Sequence, residues 1–301
     1  MNRRRGMTLI EVMLALALFA MLSVFVLSVV NSVLGLWQAG ERRGNGDLAF
    51  SAASARMRAD LAAMHFGPSG WFIMDDWEAW PAEDSQPPWR LPCLRFLARG
   101  ASLPTDDPTG RAAIEVAWAM VPVDGASSRL SRLVRLAQPV RAGKTFQNDK
   151  DFLATLRTGA GVPMVEGVAH LEWNAFTPEG ETVVNYRVPS ETPFDFPSQV
   201  NLSLERVGPE AQQNPLTLDE DISASSQRLV LRGNYPLRTP GFVLIDREWI
   251  SVQGTFPGLK IVEHGMRNTV VSDHSRGDAA WAPVSFQSQF NLASEGRRVL
   301  P

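Results

Sequence analysis

The stretch MNRRRGMTLIEVMLALALFAMLSVFVLSVVNSVLGLW, Met1 to Trp37, decides how the rest of the chain is read. Arg3, Arg4 and Arg5 form a compact basic cluster, and from Met7 to Trp37 the only charge is Glu11. The uncharged run Val12–Trp37 exceeds the roughly 20 residues that a helix needs to cross a bilayer. Its residues, Leu14 to Leu22 above all, favour helix, and no proline interrupts them. The arginines would stay on the cytoplasmic side, so the bulk of the chain would be translocated. A cleaved secretory signal fits poorly. Its apolar core would span about 7–15 residues and lead to a small-residue cleavage site, and Trp37–Arg43 has no Ala-x-Ala pattern. A plain anchor fits the length but gives Glu11 no role. A charge inside a membrane helix costs about 2.5–3.5 kcal/mol on insertion scales and calls for a partner.

The run Gly6-Met7-Thr8-Leu9-Ile10-Glu11-Val12, followed by the apolar stretch, resembles the type IV pilin and pseudopilin family. The resemblance implies that a prepilin peptidase removes Met1–Gly6, cutting between Gly6 and Met7, and methylates the new N-terminus at Met7. Glu11 would be the assembly glutamate, facing a neighbouring subunit's terminal amine. A carboxylate and an ammonium paired in low dielectric each cost less than either alone. Met7 is a departure, since the family usually has phenylalanine there. The implied setting is a single pass through the bacterial inner membrane, with the head in the periplasm. The implied partners are the peptidase, the membrane and other major and minor pseudopilins.

Outward from this segment, Gly40, Gly44 and Gly46 predict a bend or loosening of the helix, each costing about 1 kcal/mol relative to alanine. Helical character resumes at Asp47–Phe66. Met57, Leu61 and Met64 share one face there, with Arg56, Arg58 and Asp60 elsewhere. Gly67-Pro68 ends it. Residues 67–92 hold Trp71, Trp77, Trp80 and Trp89 among Asp75, Asp76, Glu78, Glu83 and Asp84, with neither period sustained. Two readings stand: an aromatic contact surface for a neighbouring subunit or a glycan, or a folded-back loop whose indoles plug the edge of the core.

Strand-like segments follow at Leu91–Ala98, Ala113–Val121, Arg129–Val140, Val168–Phe176 and Val200–Glu205. In the fourth, Ala169, Leu171, Trp173 and Ala175 alternate with His170, Glu172 and Asn174. The expected fold is α+β: a long N-terminal transmembrane helix packed on an antiparallel β-sheet head, with an additional C-terminal β region. Across Met1–Val207 the order of these pieces resembles minor pseudopilin J of type II secretion systems. It does so at Arg58–Leu61, Cys93–Arg99, Arg129–Val140, Pro163–Phe176 and Val200–Glu205. That likeness implies a subunit at the tip of a short periplasmic filament.

The expected divisions are a leader (1–6), a transmembrane and assembly helix (7–37), its extension (38–66), a β head (67–207), a polar linker (208–227) and an accessory β region (228–301). In the last, Arg228–Gly233, Gly241–Gln253, Leu259–Glu263 and Ala279–Gln287 read as strands. Asp246-Arg247 sits near a hairpin turn. Glu263–Gly277 (EHGMRNTVVSDHSRG) loosely resembles a small β-module of surface and phage-type structural proteins. Asn291–Pro301 reads as a frayed end.

The chain of 301 residues carries a net charge of −3 and no basic patch interleaved with aromatics, which gives no reason to expect nucleic acid. The single cysteine, Cys93, cannot form an internal disulfide and reads as a buried small side chain. No Gly-x-Ser-x-Gly elbow, Ser-x-x-Lys pair or phosphate-binding glycine loop occurs, so no catalytic residue is assigned. Of the four histidines, His264 and His274 lie closest together. With Asp273 they would make a site only if a hairpin paired them, and the plainer reading is two polar turn residues. Asp219, Glu220 and Asp221 lack the spacing of a calcium loop and read as a solvated acidic linker. No cofactor or metal is expected, and the protein reads as structural rather than enzymatic.

Overall fold

The computed structural model describes residues 9–66, 69–80, 88–99, 113–123, 130–140, 144–188, 196–233, 237, 239–267 and 269–292. Gly6 and Met7 lie outside these residues, as do the leader and the chain end beyond Leu292. The side chains of Glu11 and Trp80 lie outside them too. The chain divides into two compact units, Met1–Leu48 and Ala49–Pro301.

In the first unit, helix α1 begins at Leu9 and continues to Ala62, 54 residues in all. It runs through Gly40, Gly44 and Gly46 without a break, where a loosening was expected. Propensity is a weak prior, and the good helix formers on either side outweigh three glycines. Among the described residues no helix is long and apolar enough to cross a membrane. The described part of the apolar run nonetheless exposes Leu16, Phe19, Met21, Leu22 and Phe25 to solvent.

The second unit holds a sheet and a barrel. After the last turns of α1 come β1 (Phe72–Trp80), β2 (Trp89–Arg99), β3 (Ala113–Pro122), β4 (Ser131–Pro139), helix α2 (Asp149–Arg157), β5 (Val162–Phe176), β6 (Thr182–Val183), β7 (Tyr186–Val188) and β8 (Gln199–Arg206). Then follow α3 (Pro209–Gln213), β9 (Leu216–Leu218), β10 (Arg228–Arg232), β11 (Gly241–Ile245), β12 (Glu248–Thr255), β13 (Gly258–Met266), β14 (Ala279–Trp281) and β15 (Val284–Asn291). The sheet is antiparallel in the order β15-β8-β5-β4-β3-β2-β1-β7, with β6 beside β5. Strands β9 to β14 close a small barrel in the order β10-β13-β12-β11-β14-β9.

Several sequence readings find their elements here. The five expected head strands fall in β2, β3, β4, β5 and β8, and Asp246-Arg247 is the two-residue turn between β11 and β12. Asp246 adopts a positive φ of 48°, which aspartate tolerates better than most residues. Other segments differ. Phe72–Trp80, read as aperiodic, is a strand paired on both sides, to β2 and β7. Its acids conceal the alternation because Asp75 points at a buried arginine. The stretch 208–227 contains α3 and β9 rather than featureless linker. Ala279–Gln287 splits between β14 of the barrel and β15, which pairs with β8 at the sheet edge. The barrel is therefore inserted between two neighbouring strands of the sheet. Helix α2 was not anticipated. Asn148 caps it through Oδ1, which accepts from the Lys150 amide at 2.9 Å, and Phe152 and Leu156, four apart, are buried.

Helix α1 docks on the sheet through Ala53, Met57 and Leu61, and Met64 just beyond its end bridges to Ala98, all four buried. Asp60, expected off this face, lies on it instead and is 1% exposed, because the sheet supplies partners for its charge. Its Oδ2 accepts from Arg135 Nε at 2.6 Å and from Trp118 Nε1 at 3.1 Å. Arg135 Nη2 donates to Oδ1 at 2.9 Å. A charge taken out of water needs such partners, and removing one leaves the other stranded.

On the opposite face of the same strands, Arg95 is 2% exposed. It donates to the Phe146 carbonyl at 2.8 Å and to Asp75 at 2.9 Å, and lies over the Phe152 ring at 4.6 Å. Cys93 is buried beside it, its thiol donating to Asp75. Near the start of β5 the ladder bulges. Gly167 there has φ +73°, and a Cβ would fall 2.5 Å from the Val207 carbonyl, so that position requires glycine.

Asp60→Ala is expected to lower the unfolding free energy by about 3–5 kcal/mol, because Arg135 would be left buried without its carboxylate. Arg58→Ala, one turn face away, should cost less than about 1 kcal/mol by comparison. Urea unfolding of both variants checks this.

Candidate functional site

The four tryptophans singled out in the sequence do not form one surface. Trp71 and Trp77 are buried, and the Trp77 indole donates to the Met120 carbonyl at 3.0 Å. A buried indole offers nothing to a glycan or a neighbouring subunit, so these two are core residues. Trp89 is half-buried and lines a cleft of about 610 Å³ with Asp76, Arg90, Glu172, Trp249 and Arg267. Trp80 is described only by its backbone.

The barrel meets the sheet through one charged contact set among aromatics. Arg267 reaches Glu205 of β8 with both terminal nitrogens, the Nη1–Oε2 distance being 2.5 Å. Its guanidinium lies 4.3 Å from the Trp249 ring centre and 4.5 Å from that of Phe242. His170 of β5 meets Trp249 edge to face at 6.0 Å. Burial and the nearby Arg267 charge push the His170 pKa down to about 4, so this imidazole is neutral in the folded protein at pH 7.

At the start of β12, Glu248 is fully buried, a position to which the sequence pattern alone assigned no role. Its Oε1 meets His264 Nδ1 at 2.8 Å and accepts the Gly265 amide at 3.0 Å. Its Oε2 meets His274 Nε2 at 2.9 Å and accepts the Ser272 amide at 3.1 Å. The two histidines are thus brought together through Glu248, not through Asp273, which instead accepts the Ala224 amide at 3.1 Å. Burial opposes ionisation of Glu248, and the donors around it more than offset that, lowering its pKa.

His274 is also buried, and its Nδ1 lies 2.9 Å from Asp246 Oδ2. Burial disfavours its charged form. The hydrogen bonds to Asp246 and Glu248, with their charges, prevail and raise its pKa to about 9. Ser272 Oγ lies 3.3 Å from His274 Nε2, which superficially suggests a serine–histidine–aspartate arrangement. Glu248 occupies that nitrogen at shorter range, so the imidazole has no free lone pair with which to take a serine proton. The cluster is built to hold charge in place rather than to move protons.

Residues 1–27 match the family model of the prokaryotic N-terminal methylation motif. The match supports a type IV pilin or pseudopilin, a chain processed by a prepilin peptidase, and it suggests a structural rather than a catalytic protein. It covers the segment that carries Gly6, Met7 and Glu11. No curated protein and no solved structure matches the chain.

Glu248→Gln is expected to destabilise the second unit by about 3 kcal/mol, since the amide loses one acceptor oxygen and the charge facing His274. Chemical unfolding followed by tryptophan fluorescence reads this directly. For His170, the unfolded chain takes up its proton near pH 6.5 and the native one only near pH 4. Its contribution should be fully present above pH 6.5 and lost as pH falls from 6.5 towards 4. The stability difference between the natural chain and His170→Gln, measured across that window, should shrink as the pH drops.

Proposed function

We propose that the protein is a minor pseudopilin, a structural subunit of the periplasmic pseudopilus of a type II secretion system. The observation that carries the reading is the methylation motif at residues 1–27 at the head of an unusually long helix. In this reading Met1–Gly6 is removed, Met7 becomes the methylated N-terminus, and the apolar residues of α1 lie in the inner membrane before assembly. An apolar surface of the extent shown by the described residues of the helix is what a lipid or helical neighbour would cover.

Glu11 then supplies the register between subunits by pairing with the terminal amine of a neighbour. A lone carboxylate in hydrocarbon is costly, so only a subunit that offers the amine satisfies it. The head faces the periplasm and contributes surface to the tip of the filament. A minor pilin of a type IV pilus or uptake system would use the same N-terminus in the same way. The glycan-binding alternative loses two of its four indoles to the core.

The test compares the protein made with and without an active prepilin peptidase, by intact mass and N-terminal peptide sequencing. The expected product lacks Met1–Gly6 and carries a methyl group on Met7. A chain that keeps Met1 under both conditions would overturn the assignment. Glu11→Leu should leave processing intact and abolish incorporation into sheared filaments. Loss of filament incorporation from cells deleted for the type II secretion genes, but not for pilus genes, separates the two filament systems.

A further inference from the structure

The turn between β11 and β12 and the segment just before β14 bring Asp246, His274 and Asp278 together. We propose that these three side chains bind a divalent transition-metal ion, with Glu248 as the buried residue that orients His274.

One ligand atom from each of the three lies within 4.8 Å of the others. Bonds from such an ion to imidazole nitrogen or carboxylate oxygen are about 2.0–2.2 Å, so three donors around one ion stand roughly 3–3.6 Å from one another. Asp246 Oδ2 already lies 2.9 Å from His274 Nδ1, and the contraction that remains falls to the side chains of Asp246, half exposed on a two-residue turn, and Asp278, which is partly exposed. His274 and Glu248 offer no such freedom, both being buried.

The imidazole is already oriented. Nε2 meets Glu248 Oε2 at 2.9 Å and Nδ1 faces the Asp246 carboxylate. A carboxylate behind the far ring nitrogen is the arrangement that fixes tautomer and ring direction in metal-bound histidines. Asp278 Oδ2 accepts the Ser275 amide at 2.7 Å, which anchors that carboxylate and leaves its other oxygen.

Charge points the same way. Three carboxylates lie around His274, and two of them, Asp246 and Glu248, are within hydrogen-bond distance of its ring nitrogens. The ion replaces the proton between Nδ1 and Asp246, and that proton passes to solvent. One nitrogen and two oxygen donors suit zinc and its neighbours. Calcium would ask for six or more oxygens. Bound there, the ion ties the β11–β12 turn to the start of β14 and stiffens that end of the barrel. This role is independent of the filament assignment.

The full chain, purified in detergent and stripped with a chelator, would be titrated with zinc chloride by calorimetry, with elemental analysis for stoichiometry. One zinc per chain is expected, together with a rise in the thermal midpoint. Asp246→Asn and Asp278→Asn should each weaken binding by about tenfold or more and remove that rise. Glu263→Gln, an exposed acid on β13, should change neither. Circular dichroism of the zinc-free variants establishes that they fold, since both substituted carboxylates lie at the surface end of the cluster. Absence of saturable binding would overturn the proposal. So would affinity left unchanged by either asparagine substitution, because both carboxylates are proposed ligands.

Discussion

A buried carboxylate with nowhere else to go organises the head of this protein. Asp60 sits on the docking face of α1 and finds Arg135 on β4 and Trp118 on β3, so one side chain ties the helix to two adjacent strands. Apolar packing by Met57 and Leu61 would tolerate sliding along the sheet, since hydrophobic contact is non-directional. A hydrogen-bonded ion pair does not tolerate it, because a shift of a few ångströms strands both charges in low dielectric. The apolar contacts supply most of the driving force, and the polar triad sets the register in which they are made.

The same logic recurs on the other side of the sheet and at the barrel. Arg95, buried under α2, is held by Asp75 and a carbonyl. Arg267 spans from the barrel to Glu205 on the sheet, sandwiched by Trp249 and Phe242. Each arginine carries apolar neighbours over its flat face, as guanidinium does more readily than ammonium. The barrel is joined to the sheet by chain continuity at both ends, leaving after β8 and returning as β15. The Arg267–Glu205 pair adds a lateral fastening between them.

The methylation motif suggests a structural rather than a catalytic protein. The histidines that come closest to a catalytic arrangement are held by Glu248 and Asp246 as charge-bearing braces. Among the described residues the longest run of exposed apolar side chains lies on α1, where they face outward along the described part of its N-terminal half. A methylation motif sits at the start of that same helix. Together they direct attention to assembly through the helix, with the head and barrel presenting surface.

Much was legible in order of residues alone. The basic leader, Gly6, Glu11 and the apolar run specified the N-terminal segment, because length and hydrophobicity there are local quantities. Alternation in Val168–Phe176 and the Asp246-Arg247 turn located β5 and the β11–β12 hairpin, because period and turn chemistry are also local. The sequence pattern set Asp60 off the apolar face of Met57 and Leu61 because its charge argued for solvent, and only its partners on β3 and β4 show why it is buried there. Glu248 carried no signal at all. Its donors come from positions 264, 265, 272 and 274, and only closure of the barrel brings them to it. Trp71 and Trp77 were equally ambiguous until β1 took its place between β2 and β7. The sequence by itself determined where the chain is apolar and where it alternates. The tertiary structure alone decided which charges are buried, since a charge can leave water only where distant parts of the chain deliver its partners.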